Sequence, residues 1–361
     1  MLPFVAEKRG VSMAGKTKLH EVVEKIQSGT IKEAEASRFF SIAPNPQQPF
    51  DFNIGINADS VDTTNAPNAG MLAAPLLRDA GIALDLGRAT PVAAPKAFKR
   101  KLPLIAEGDS WFKLPDAGPV TPLALIGFLQ KTYSTVNLAH WGDTLAEMIA
   151  AGQFWSFLLS GKSDVLLFSG GGNDILGGGM LWRYVNLFDV DHAKPSDAPY
   201  YLNKEFYDNL DAVMANYEGL IQRIKQRTPH VIMLGHGYDY VIPRPDGPWL
   251  GGPLTRQGID PRDKGELGAA IIKAMLDVFN SRLSALEKAY PDNFKHVDLR
   301  GTITKTQWWD ELHPLEAGAK KTAAKFAAAI AALPESTVAN VSPFVAQLNA
   351  LQPPAQARQH V

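Results

Sequence analysis

Residues 102–111 read LPLIAEGDSW. An apolar run from Leu102 to Ala106 halts on an acid, a glycine, a second acid and a serine. A short apolar run closed by a glycine turn has the length and boundary of a buried strand. Two explanations fit the polar stop: a plain surface turn, or a nucleophile held at a strand end. The triplet Gly108-Asp109-Ser110 does not choose between them. A serine hydroxyl is a weak nucleophile at neutral pH and needs a base within hydrogen-bond reach, so the choice falls to what lies downstream.

Working outward, the same rhythm repeats. PLALIGFLQK (122–131) has helical spacing, and TVNLAHWG (135–142) reads as a strand ending in glycine. TLAEMIAAGQFWSFLLS (144–160) reads as one helix and SDVLLFSGGG (163–172) as a third strand. A helix follows near 205–227, then the strand HVIMLGH (230–236), a long helix over 265–290, a fifth strand in HVDLRG (296–301) and a closing helix in GAKKTAAKFAAAIAAL (318–333). Strands alternating with helices predict an α/β fold: an open parallel sheet of about five strands, covered on both faces. In such sheets ligands sit beyond the carboxyl ends of the strands, where the polar residues of this chain gather.

Before residue 101 that rhythm is absent. Leu19, Val22, Val23 and Ile26 recur at helical spacing within 17–28, and IKEAEASRFF (31–40) and MLAAPLLRDAGIAL (71–84) are weaker helix candidates. TPVAAPKAFKRKLP (90–103) reads as a linker. The expected organisation is therefore an N-terminal helical or extended appendage (1–100), a main domain (101–335) and a C-terminal tail (336–361).

The 361 residues carry 45% hydrophobic and 20% charged side chains, with a formal net charge of -1, ordinary values for a globular chain with a sizeable core. The balance offers no basic field for nucleic acid. With no cysteine, disulfides and thiolate chemistry are excluded. No apolar run reaches the length of a membrane span, and MLPFVAEKRGVSMAG (1–15) is too polar after Ala6 for a secretory leader. The expected compartment is the cytoplasm, or the outside by a non-classical route.

The candidate chemistry lies in Ser110, Gly142, Asn173, Asp310 and His313. His313 is the expected base, since a histidine takes and returns a proton near neutral pH. Asp310, three residues earlier in WWDELHP (308–314), can hold its Nδ1 and leave Nε2 for Ser110. Pro314 suits the first position of the closing helix. The competing reading makes Asp310 a helix cap and His313 a solvated first-turn residue. Asn173, in FSGGGNDILGG (168–178), and the N–H groups of Gly142 and Ser110 can donate to a developing oxyanion, while the plain readings are a turn asparagine and a helix start. GGGNDILGGG (170–179) lacks the Lys-Ser or Lys-Thr of a phosphate loop and the spacing of a dinucleotide fingerprint. His230, His236, His296 and His313 show no HExxH spacing, so neither a metal nor another cofactor is expected. His236 either faces the cleft or packs beside it. Asp109, Asp143 and Asp174 supply carboxylates, but nothing pairs two of them for glycoside chemistry.

Taken in order, GDSW (108–111), NLAHWGDT (137–144), GGND (171–174) and DELHP (310–314) resemble the sequence blocks of the SGNH hydrolases, the GDS-type lipases and esterases, over roughly residues 102–332. Trp111 stands where leucine is familiar in that family. The resemblance implies a flavodoxin-like three-layer sandwich and serine ester hydrolysis without a metal. Ser110 would be the nucleophile, Asp310 and His313 the rest of the triad, and Gly142 and Asn173 oxyanion donors. Partners would be small-molecule, lipid or glycan esters. Acyl transfer to an alcohol uses the same residues, and a non-catalytic binding module on this scaffold is the reading from another class. Two insertions, 175–204 with Trp182, Tyr184, Phe188, Tyr200 and Tyr201, and 237–265, either wall the site or pack on each other.

Overall fold

The computed structural model describes residues 16–27, 38–44, 52–63, 103–115 and 121–337. The chain divides into two compact units, one drawn from 1–43, 52–86 and 115–121, the other from 44–51, 87–114 and 122–361.

In the first unit β1 (Thr17–Lys18) runs into α1 (Leu19–Gln27). The strands β2 (Phe40–Pro44) and β3 (Phe52–Ile56) pair with each other, and β1 pairs in parallel with β4 (Val61–Asp62). Sequence periodicity led to a helix over 17–28; its first two residues instead join a strand. Val22, Phe39, Phe40 and Val61 are buried. The helix expected at 71–84 and the tail from 338 on lie outside the described residues, as does most of 31–40.

The second unit is a flavodoxin-like three-layer sandwich. Its strands are β5 (Leu104–Gly108), β6 (Thr135–Asn137), β7 (Val165–Ser169), β8 (Ile232–His236) and β9 (Phe294–Val297). All neighbours are parallel, in the order β6-β5-β7-β8-β9. Every residue of β5, β7 and β8 is buried, which is why each strand starts as an apolar run rather than an alternating one; the polar Glu107, Ser169 and His236 fall at or near their carboxyl ends. The helices α2 (Leu125–Leu129) and α9 (Glu316–Ala331) pack together on one side. The other side holds α3 (Leu145–Ala151), α6 (Lys204–Arg227) and α8 (Pro261–Ala289), with the short α4 (Trp155–Leu159), α5 (Gly172–Ile175) and α7 (Gly251–Arg256) in the connections. Among the described residues no helix is long and apolar enough to cross a membrane.

Three local expectations are corrected. The strand expected through 142 is regular only to Asn137, whose side chain accepts from Ala139 N–H (3.1 Å) and donates to the Phe112 carbonyl (3.2 Å), although Leu138 and His140 still donate to the Ala106 and Gly108 carbonyls of β5. The helix expected over 144–160 is two helices: it starts on a Thr144–Glu147 capping box and breaks at Gly152, where the backbone is left-handed at φ 54°. Pro314 precedes the last helix instead of opening it. The Asp310 carboxylate takes the N–H groups of Leu312 (2.8 Å) and His313 (2.7 Å), which curls 310–313 into its own turn and leaves Leu315 as the N-cap.

Strand order decides where chemistry can happen. The chain leaves β5 to one side to form β6 and returns on the other to form β7. The gap beyond the ends of β5 and β7 is thus the switch point of the sheet. Gly108 lies opposite Ser169 in the register, so the segments carrying Ser110 and Asn173 leave the sheet side by side.

Candidate active site

Ser110 lies two residues past β5, and Gly108 is what lets the turn close. A Cβ on Gly108 would fall 2.7 Å from Ser169 Cβ. His313 is brought to it from the turn before α9: Nε2 stands 2.8 Å from Ser110 Oγ. On the far side of the ring Nδ1 stands 2.7 Å from Asp310 Oδ2. The carboxylate accepts the Nδ1 proton, which leaves Nε2 as the acceptor for the serine hydroxyl. Burial pushes the Asp310 carboxyl up, but His313 and the two backbone N–H groups outweigh it, and Asp310 sits below the usual carboxylate range. It is ionised and already oriented.

On the other side of Ser110 two loops are pinned together. Asn173 Nδ2 gives one proton to the Asp143 carbonyl (2.8 Å), and its second amide proton is left for a ligand. Asp174 Oδ2 accepts from Leu145 N–H at 3.0 Å. These bonds hold segment 143–145 against 173–174 and so set Gly142, whose φ of 83° favours glycine. Among the described residues neither the Ser110 nor the Gly142 N–H donates to a protein acceptor. The pocket beside Ser110 is lined by Trp111, Leu176, Tyr238, Val241 and Leu312, with Asp109, Gly172 and Asn173 at its polar edge.

A second serine, histidine and aspartate also lie in hydrogen-bond contact. Ser169 Oγ donates to Asp109 Oδ1 at 2.7 Å and stands 2.9 Å from His236 Nε2. The order of bonds separates this set from Ser110–His313–Asp310. His236 Nδ1 accepts the Tyr238 N–H (3.1 Å), so its proton is on Nε2 and is given to Ser169. The aspartate touches the serine, not the histidine. Burial drives the His236 ring down to about 3, with His296 adding to the effect, so this ring stays neutral and does not serve as a base. Ser169 and His236 are each 0% exposed. No ester reaches them. The choice left open for His236 is settled as packing beneath the cleft.

The surroundings of three buried acids were not legible in the sequence, although Asp109 was among the carboxylates it offered. Glu107 on β5 is pushed up to about 8 by burial and by Asp143, and its Oε2 has no hydrogen-bond partner. Asp109 is raised to about 6 by burial, against hydrogen bonds from Tyr238, Ser169 and Trp111 N–H. Glu311 accepts four backbone N–H groups, from Arg244 (2.9 Å), Trp249 (3.0 Å), Leu250 (3.1 Å) and Gly251 (2.8 Å). It binds the 244–251 loop to the 310–313 turn and places the Trp249 ring edge-on to His313 at 5.6 Å. The only sequence signal was an acid within a motif, which says nothing of its partners. Of the insertions, only Leu176, Tyr238 and Val241 reach the pocket. The aromatics of 175–204 do not line it, and that segment packs instead on the other insertion, with Phe188 N–H on the Gln257 carbonyl (2.7 Å).

No protein-family model and no curated protein sequence matches this chain. Solved structures do. The extracellular lipase of Streptomyces rimosus superposes with a TM-score of 0.43 at 14% identity, over 63% of this chain and 99% of the lipase. A member of the lipolytic G-D-S-L family from Veillonella parvula gives 0.37 at 16%, over 64% and 98%. The Clostridium thermocellum family 3 carbohydrate esterase gives 0.36 at 18%, over 63% and 94%.

Proposed function

We propose that this protein is a serine-dependent carboxylic ester hydrolase working through an acyl-enzyme, with Ser110 as nucleophile. The observation that carries this reading is the continuous chain Ser110 Oγ, His313 Nε2, His313 Nδ1, Asp310 Oδ2, with contacts of 2.8 and 2.7 Å, opening on a pocket.

As Ser110 Oγ attacks the ester carbonyl carbon, its proton passes to His313 Nε2. The imidazolium that forms is stabilised by ionised Asp310. The carbonyl oxygen becomes an anion and meets the N–H groups of Ser110 and Gly142 and the free amide proton of Asn173. Collapse expels the alcohol, which takes its proton from His313. Water then attacks the acyl-Ser110 carbonyl, giving a proton to His313, and the carboxylic acid leaves as Ser110 recovers its proton.

The pocket favours a short acyl group. Trp111, Leu176, Val241 and Leu312 offer apolar contact, and Tyr238 lines the pocket beside them. The expected order of turnover on p-nitrophenyl esters is acetate and propionate ahead of octanoate. The deciding experiment is labelling with a fluorophosphonate probe: one adduct on Ser110, lost in Ser110→Ala. A wild-type protein that is neither labelled nor active on an ester panel would refute the assignment.

A further inference from the structure

Tyr238 is one of two non-glycine residues among those described with a positive φ, at 64°. A tyrosine in that region is strained, and strain of this kind persists only where the surroundings over-determine it. Here they do. Asn280, wholly buried on α8, donates from Nδ2 to the Gly237 carbonyl (2.7 Å) and to the Leu276 carbonyl (2.8 Å). Its Oδ1 receives His296 Nε2 at 2.9 Å. Any Cβ on Gly237 would lie 2.4 Å from that amide. Tyr238 N–H is taken by His236 Nδ1. The turn is held from both sides, and the result is to aim one phenol.

That phenol joins two loops. Tyr238 OH accepts the Gly172 N–H at 2.9 Å and donates to Asp109 Oδ2. Gly172 precedes Asn173, and Asp109 precedes Ser110. Asp109 Oδ1 in turn holds Trp111 N–H (3.0 Å) and Ser169 Oγ (2.7 Å). A Cβ on Gly172 would stand 2.5 Å from the Tyr238 ring, so this close approach requires glycine.

Building on the reading of Ser110 as nucleophile, we infer that Tyr238, acting through Asp109 and Gly172, is a positioning residue that sets the spacing between the Ser110 N–H and the Asn173 amide, the two sides of the oxyanion site. The buried Ser169–His236 pair is the foundation of this brace: it fixes Asp109 from below while Tyr238 fixes it from the side. Oxyanion donors act by being in place before charge develops, and a displacement on the order of 1 Å costs about a hundredfold in rate. The bonds from Tyr238 do not touch the ground-state ester, so their loss falls on the transition state.

Tyr238→Phe removes one oxygen and leaves the ring. With a short p-nitrophenyl ester, kcat falls about ten- to a hundredfold while KM stays within about twofold. The Kd of ethylboronic acid, which forms a tetrahedral adduct on the serine, rises by the same factor as kcat/KM falls. Asp109→Asn gives a similar split, and the double variant loses no more than the worse single one. If Tyr238→Phe does not fold, Asp109→Asn carries the test alone. An unchanged kcat in a variant still labelled at Ser110, or a raised KM with kcat intact, overturns the brace. A wild-type enzyme that is never labelled at Ser110 overturns instead the assignment beneath it.

Discussion

Glu107→Gln gives a stability change whose size follows from one carboxyl group. Glu107 is 3% exposed on the central strand β5, and its ordinary value of 4.5 is raised to about 8 by burial and by Asp143. Below pH 4.5 it is protonated in both folded and unfolded chains and has no effect on stability. Between 4.5 and about 8 the unfolded chain releases the proton and the folded one keeps it, so stability falls by about 1.4 kcal/mol per pH unit. Above pH 8 both states are ionised and the loss levels off near about 5 kcal/mol. Glutamine has the same shape and does not titrate. The stability of Glu107→Gln minus that of wild type should therefore grow by about 4 kcal/mol from pH 5 to pH 8, a large share of the total for a domain. Asp109, raised to about 6, also weakens the fold as pH rises, but it does so in both proteins and cancels in the difference. Urea denaturation at a series of pH values measures that difference directly. Two curves that run parallel across this range would show that Glu107 ionises in the folded protein as it does in water, and the burial argument would fail.

Other perturbations separate the groups at the site. Ser110→Ala and His313→Ala keep the fold, by circular dichroism, and lose at least about three orders of magnitude in kcat. Asn173→Ala loses about 10²–10³ in kcat, worth roughly 3 kcal/mol, with a smaller change in KM; equal kcat would remove it from the oxyanion site. Ser169→Ala retains the fluorophosphonate label that Ser110→Ala loses, which distinguishes the two serines in one gel. Glu311→Ala leaves four backbone N–H groups without their acceptor and costs about 3–5 kcal/mol, read as a drop in urea midpoint; a midpoint shift worth under about 1 kcal/mol would show that the 244–251 loop is held by packing alone.

The alternation of strands and helices was legible because it is written in short-range periodicity. β5, β7 and β8 each open on three or four apolar residues and close on a polar or glycine-rich end, and each is readable without its neighbours. The same holds for the segments bearing Ser110, Gly142, Asn173 and His313, since each is a strand end or turn with a local pattern. The break at Gly152 was the harder case: an isolated glycine inside an apolar helical pattern is tolerated or terminal depending on packing, and here the left-handed form won. The pairing of Ser110 with His313 was legible only through the order of blocks that resembles a known family, and the other partnerships were not legible at all. Ser110 and His313 are 203 residues apart in the chain, and Ser169 and His236 are 67 apart; composition offers both pairs equally. Glu107 and Asp109 flank one glycine and look alike as letters, yet one is left with an unpaired oxygen while the other receives three hydrogen bonds. Periodicity depends on residues a few positions apart, and the sequence carries that in full. Which serine meets the acceptor nitrogen of a histidine, and which acid keeps its proton, depends on burial and on bond direction between distant segments, and these exist only once the sheet has closed around them.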